Sequence, residues 1–209
     1  MIRRIFPIAM LFLIGAAAPS GAQSVGAQGY VTYGATAFAA ADTFDAVAGS
    51  RADSGIGFGA TVTGLWRGLF VDAGFAQQRV QGERVFMDSG TVYKLGIPLS
   101  IKMRPVDVAA GWRFLSSRRL SPFVGAGVSF ISYTETADFA AGTDNVSDSG
   151  TGALLLGGVD VAIARWIKIG GEIRYRAVDG VLGESGVSAA FGEDQLGGFS
   201  TGLRLTVGR

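Results

Sequence analysis

The chain contains no cysteine and no histidine. Without Cys there is no disulfide framework, no thiolate metal site and no lipoprotein anchor, which needs a Cys at its cleavage point. Without His, the commonest general base and the commonest transition-metal ligand are both missing. Charge is scarce as well: only 17% of the 209 residues are Asp, Glu, Lys or Arg, and the full chain carries a net charge of +1. A near-neutral chain gives no electrostatic reason to expect nucleic-acid binding. Beyond the N-terminal segment no run of eighteen apolar residues occurs, which excludes a further membrane helix. What remains is a chain that is 48% hydrophobic yet holds 33 Gly. So much Gly among short apolar runs points to an all-β protein and away from a soluble helical domain.

The first 22 residues have the layout of an export signal. Arg3 and Arg4 are followed by an apolar stretch from Ile8 to Ala18, then Pro19, then the small residues Ser20-Gly21-Ala22. The stretch is too short to span a bilayer as a helix, so cleavage is expected after Ala22, with residues 23–209 folding outside the cytoplasm. Loss of Arg3 and Arg4 takes the 18 basic residues to 16 against 17 acidic, a net charge of −1.

Segments of about ten residues then alternate between apolar and small or polar, the signal of a transmembrane barrel strand. In Ile167 to Arg176, Ile167, Ile169, Gly171, Ile173 and Tyr175 share one face, while Lys168, Gly170, Glu172, Arg174 and Arg176 share the other. Side chains alternate across a strand, so one side is uncharged and the other carries four charges. Phe199, Thr201, Leu203, Leu205 and Val207 oppose Gly198, Ser200, Gly202 and Arg204 in the same way. Within 151–164, Leu155, Val159, Val161 and Ile163 oppose Asp160. Val106, Val108, Ala110, Trp112 and Phe114 oppose Asp107, Gly111 and Arg113, and Leu69, Val71, Ala73 and Phe75 oppose Asp72 and Gly74. Segments 29–39, 54–66 and 121–134 alternate with Gly, Ser and Thr instead of charges. The count is eight, and the fold expected is an eight-stranded antiparallel transmembrane up-and-down β-barrel.

Connections alternate in length. Three are short, around Trp66-Arg67-Gly68, Ser116 to Arg119 and Ala164-Arg165-Trp166. Four are long and polar, at about 40–53, 81–100, 135–150 and 179–195. The run Val92 to Ile101 inside the second is read as an extension of the third and fourth strands beyond the membrane. Arg79 has outward parity, so the lipid-facing part is expected to end near Phe75 or Gln77. Short turns belong in the periplasm and long loops outside. Trp66, Trp112 and Trp166 all fall near the short turns, where an indole suits the headgroup level, and read as a periplasmic aromatic girdle. Tyr33, Tyr133, Tyr175 and Phe199 are candidates for the opposite girdle.

A soluble sandwich alternates too, but keeps many Lys, Glu and Thr on its solvent face. Here the polar face is rich in Gly and Ser with a few charges of both signs, which suits the crowded interior of a narrow barrel. Those inward charges are Asp72, Asp107, Asp160 and Glu172 with Arg113, Lys168, Arg174, Arg176 and Arg204. Buried charge must be paired. A salt-bridge network filling the barrel is therefore expected, with Glu172 and Asp160 pairing with Arg113, Arg174 or Arg204. A narrow, slightly anion-favouring pore is the alternative use of the same residues.

Leu120-Ser-Pro-Phe-Val-Gly-Ala-Gly-Val128, with Gly111-Trp-Arg-Phe114 before it and Leu156-Gly-Gly-Val-Asp160 after it, resembles the small outer-membrane β-barrel superfamily of OmpA-like, OmpW-like and opacity-type barrels. The resemblance spans about residues 29–209. It implies a shared barrel with loops that differ among members. Such barrels usually end in an aromatic residue, whereas this chain ends Val207-Gly208-Arg209. The resemblance also implies outer-membrane lipid, lipopolysaccharide and the barrel-assembly machinery as partners, and a monomer.

Catalytic signals are weak. The glycines at 55, 57, 59, 125 and 127 recur every second residue on strands, which suits tight packing and not a phosphate loop. Outer-membrane enzymes resemble one another in relying on a catalytic His. Lys94, Lys102 and Lys168 are the only lysines available to a Ser–Lys dyad. Asp144-Asn145-Val146-Ser147-Asp148 has loosely spaced oxygen ligands but lacks a full Ca²⁺ loop, and reads as a solvated loop. No catalytic, cofactor-binding or metal residue is expected. Three functions compete: a structural or surface-interaction barrel with a largely plugged lumen, whose long extracellular loops contact lipopolysaccharide, host surfaces or other proteins; porin-like or OmpW-like transport of small solutes or apolar compounds; and, the weakest, an outer-membrane enzyme.

Overall fold

A computed structural model of the protein describes residues 25–88, 90–114, 119–137, 146–183 and 186–208. The expected export signal, the turn residues 116–118 and Asp144 and Asn145 lie outside the described residues. Eight strands close into one barrel in sequence order: β1 Gly26–Phe38, β2 Ala52–Thr63, β3 Leu69–Asp88, β4 Thr91–Arg113, β5 Leu120–Ala137, β6 Val146–Ala164, β7 Ile167–Val178 and β8 Leu196–Gly208. Every neighbouring pair is antiparallel, and β1 closes the barrel by pairing with both β2 and β8. The fold is the closed, eight-stranded, up-and-down barrel that the alternation predicts.

Side chains divide by parity. Val31, Phe58, Val71, Val108, Val128, Leu155, Ile173 and Leu203 are exposed on the outer wall. Their neighbours in sequence point inward, so the apolar face is turned out, the reverse of a water-soluble barrel.

Strand lengths are uneven. β3 and β4 have 20 and 23 residues, and their pairing runs past a bulge between Glu83 and Val85 to Asp88↔Thr91. A tilted strand crosses a bilayer in about 9–11 residues, so this hairpin projects well beyond the wall. The extension expected for Val92 to Ile101 is therefore present, and most of the 81–100 connection is not a loop but two paired strands.

Two other long connections contain helices that the sequence reading did not include. α1 spans Ala41–Ala48 and α2 spans Gly186–Phe191. α1 ends at Gly49 in the left-handed conformation (φ 67°), where a residue without Cβ is unstrained. α1 packs Phe44 and Val47 into a cluster with Val80, Leu99, Ile101, Met103, Ile131, Tyr133 and Leu196, and Phe44 stacks on Phe38 at 4.0 Å. The projecting end of the barrel thus has an apolar core of its own.

Candidate functional site

The lumen is the site that the strands build. Asp72, Asp107, Arg113, Asp160, Glu172, Arg174, Arg176 and Arg204 all point inward and are buried; Arg204 is only 2% exposed. Asp72, Asp107, Glu172, Arg174, Arg176 and Arg204 form one connected network, and Arg113 and Asp160 form a pair apart from it. Arg174 on β7 donates from Nε to Glu172 Oε1 at 2.8 Å, from Nη1 to Asp107 Oδ2 at 2.9 Å and from Nη2 to the Tyr30 hydroxyl at 3.0 Å. Arg176 grips Asp107 with two bonds, Nη2 to Oδ2 at 2.7 Å and Nε to Oδ1 at 3.1 Å. Arg204 donates to Glu172 Oε2 at 3.0 Å and to Thr61 Oγ1 at 2.8 Å. Its guanidinium lies 3.7 Å from the Tyr30 ring centre. Such two-pronged, ionised bonds are the strong class of hydrogen bond. Arg113 pairs with Asp160 nearer the short-turn end. The pairings expected for Glu172 and Asp160 thus fall to Arg174 and Arg204 for the first and to Arg113 for the second.

Four carboxylates face four guanidinium groups, which satisfies the rule that buried charge be compensated. Lys168 departs from this pattern: it is half-buried and makes no ion pair among the described residues. Asp160 Oδ1 and Arg113 Nε have no hydrogen-bond partner among the described residues, so this pair is less completely satisfied there than the central group.

Several members carry no charge and were not singled out from sequence. Tyr30 donates to Asp72 Oδ1 at 2.9 Å, Thr61 donates to Asp72 Oδ2 at 2.7 Å, and Ser129 donates to Asp107 Oδ1 at 2.7 Å. The inward parity of the β1 segment, opposite Val31 and Tyr33, was the available signal for Tyr30. An apolar cluster of Phe70, Ala109, Phe123, Leu154 and Leu156 also fills the lumen. The interior is therefore not only Gly, Ser and charge, as the sequence suggested. Phe70 and Phe123 meet edge to face at 6.1 Å, and Arg113 and Arg204 lie over the Phe123 ring at 5.2 and 5.3 Å.

The inward glycines make room for these rings. A Cβ at Gly111 would lie 2.6 Å from Phe70 Cζ, one at Gly158 would lie 2.6 Å from Phe123 Cζ, and one at Gly74 would lie 2.7 Å from the Tyr30 hydroxyl. The space left beside Arg174 and Asp107 is about 60 Å³, room for a few waters. A larger pocket of about 330 Å³ opens at the projecting end, lined by Phe44, Val47, Leu99, Ile101 and Tyr133 and by none of the network charges.

On the outer wall, Trp66 and Trp166 are 59% and 56% exposed at the short-turn end, and Trp112 meets Trp66 edge to face at 5.7 Å. Tyr33, Tyr175 and Phe199 are also outward. Tyr133 is not: it is 6% exposed and donates inward to Glu135 at 2.9 Å. Outward parity on β5 runs through Val124, Val128 and Phe130, which turns Tyr133 to the inside and removes it from any outer girdle. Among the described residues no group of three or more Asp and Glu is arranged to hold a metal ion.

With apolar walls outside, charges and rings inside, and eight strands closed in order, the chain matches the model of the outer membrane protein beta-barrel domain over residues 8–205. The chain belongs to that family and is an outer-membrane β-barrel protein. Solved structures similar to it are a major outer membrane protein from Thermus thermophilus (14% identity, 88% of this chain and 99% of that chain covered, TM-score 0.50), Ail, the attachment invasion locus protein of Yersinia pestis, in complex with the heparin analogue sucrose octasulfate (13%, 88% and 94%, 0.45), and the N-terminal β-barrel domain of Pseudomonas aeruginosa OprF (11%, 88% and 97%, 0.46). No curated protein sequence matches the chain.

Proposed function

We propose that this protein is a structural and surface-interaction barrel of the outer membrane whose lumen is plugged, with its functional contacts made on the outside. The observation that carries this reading is Arg174, which bonds to Asp107 on β4, Tyr30 on β1 and Glu172 on its own strand and so ties the lumen together across its width. A conducting pore needs a continuous wet path, and its lining charges must exchange partners with passing ions. Here each central guanidinium is held by protein oxygens, and Phe70, Phe123, Leu154 and Leu156 add a dry layer. The reading involves no catalysis, consistent with a chain that has no His. Export through the general secretory pathway, insertion by the barrel-assembly machinery, contact with lipopolysaccharide and a monomeric state complete it.

Proteoliposomes test the reading. Vesicles holding the refolded protein should swell no faster in small sugars than protein-free vesicles. Swelling that scales with protein content would overturn the plugged lumen in favour of a diffusion pore.

A further inference from the structure

Three cations sit together on the outer wall at the edge of the apolar band. Arg79 on β3 and Lys102 on β4 are directly paired, and Arg104 lies two residues along β4 on the same face. The next outward residue of β4 is Val106, whose partners Phe75 and Phe130 belong to the apolar wall. The charges thus begin where the lipid-facing residues stop. None of the three makes a hydrogen bond or ion pair among the described residues. Around them the outward face holds Gln81, opposite Ser100, and no acid before Glu83, about 13 Å along the strand from Arg79 at the usual rise per residue. On β5, Ser132 is opposite Arg104 and Thr134 is opposite Lys102.

Like charges directly opposed across strands weaken a sheet. An anion would relieve the Arg79–Lys102 pair, and at the rim of the lipid band the anions at hand are headgroup phosphates. Arg presents a fork that matches phosphate, and Lys adds a point charge. The neighbouring hydroxyls suit a sugar. From this geometry we infer that Arg79, Lys102 and Arg104 bind the phosphorylated sugar headgroup of an outer-leaflet glycolipid. The inference rests on the outer-membrane reading above and gives its lipid partner a specific seat.

The test uses the full mature chain refolded in phosphatidylcholine vesicles, with thermal unfolding followed by heat-dependent gel mobility. Bisphosphorylated lipid A should raise the unfolding temperature in a saturable way. Each cation near an anionic surface contributes about fivefold in affinity, so Arg79→Gln/Lys102→Gln/Arg104→Gln should need about a hundredfold more lipid A for the same shift. The triple variant should unfold like wild type in phosphatidylcholine alone, and Arg51→Gln, just beyond the C-terminal end of α1, should keep the full shift. An unchanged response in the triple variant would overturn the site, as would loss of the shift in Arg51→Gln. Equal shifts from dephosphorylated lipid A, phosphatidylglycerol or free inorganic phosphate would overturn the phosphorylated-glycolipid assignment. Error in the membrane placement would show separately, as wild type that does not fold into phosphatidylcholine at all, and would remove the site with it.

Discussion

Arg174 on β7 reaches across the lumen to Asp107 on β4, with 2.9 Å between Nη1 and Oδ2. These strands lie on well-separated parts of the wall, so the bond ties the barrel through its centre as the backbone ladder ties it round its circumference. Arg174→Leu leaves Asp107 with Arg176 as its one basic partner beside the Ser129 hydroxyl, and Glu172 with Arg204. Removing one partner of a buried pair typically costs about 3–5 kcal/mol, so the variant should unfold at a clearly lower urea midpoint. Ile173→Val, on the outer face of the same strand, should cost about 0.5–1.5 kcal/mol or less. Equal midpoints for the two variants would mean that the ion pairs contribute no stability.

Phe123 separates the Arg113–Asp160 pair from the central network and fills a niche that Gly158 leaves open. Phe123→Ala should cost about 3–5 kcal/mol through the cavity left behind. Gly158→Val should cost about 1–3 kcal/mol or more from the opposite fault, because its Cβ meets the ring. Urea unfolding of both variants checks this. Stability gained by Gly158→Val would show that the ring is loosely held.

Glu193 caps α1 from a distant part of the chain. Its Oε1 and Oε2 accept the backbone N–H groups of Asp42 and Thr43 at 3.0 and 2.8 Å, while Ala40 at the N-cap provides no side-chain cap. Partial burial alone would raise the Glu193 carboxyl, but donors at Thr43 and Asp42 and the nearby Arg51 outweigh it and hold the group below its ordinary range. A folded value below the unfolded one means that the stabilisation is present above the unfolded value and is lost as pH falls through the folded value. Amide exchange in α1 should therefore speed up as pH drops below the ordinary carboxylate range, after correction for intrinsic rates. Arg51 also pairs with Asp42 and Asp45 at 3.1 and 3.3 Å, so the diagnostic is the difference between wild type and Glu193→Gln, which should lack the Glu193 part of the pH dependence. At neutral pH Glu193→Ala should loosen α1 by about 1 kcal/mol, as for a lost cap. Identical exchange profiles in all three proteins would remove Glu193 as the cap.

Topology is tested on whole cells. Ser50 and Ala189 lie exposed at the end that carries α1 and α2, and Arg165 lies exposed in the β6–β7 turn. Ser50→Cys and Ala189→Cys should react with a membrane-impermeant thiol reagent, and Arg165→Cys should react only after the cells are opened. The reverse pattern would invert the barrel.

Barrel closure and inward parity were readable where charge marked one face of a strand. β7 shows this best, because Glu172, Arg174 and Arg176 alternate with Ile173 and Tyr175. The apolar part of the lumen was hidden. In Leu154-Leu155-Leu156 and Leu69-Phe70-Val71 the count from Asp160 and Asp72 turns Leu155, Leu69 and Val71 outward, but with both faces apolar nothing marks the inward Phe70, Leu154 and Leu156 as lumen residues. Tyr30 was missed for another reason: its partner Asp72 is 42 residues away, and only strand register brings them together. α1 was missed because eight residues are too few for a helical period to stand out, although Gly49 after an Ala-rich run was a stop signal. Its helical state depends on burying Phe44 and on the Glu193 cap, both supplied by tertiary structure.

Planar-bilayer recording of the refolded protein tests the plugged lumen most directly, with Glu172→Ala run beside the wild type. The wild type should insert without discrete conductance steps, and Glu172→Ala should lose stability before it gains any steady current. Regular single-channel steps from wild type, with an ion selectivity that changes in Glu172→Ala, would contradict the account and make the same charges the lining of a pore.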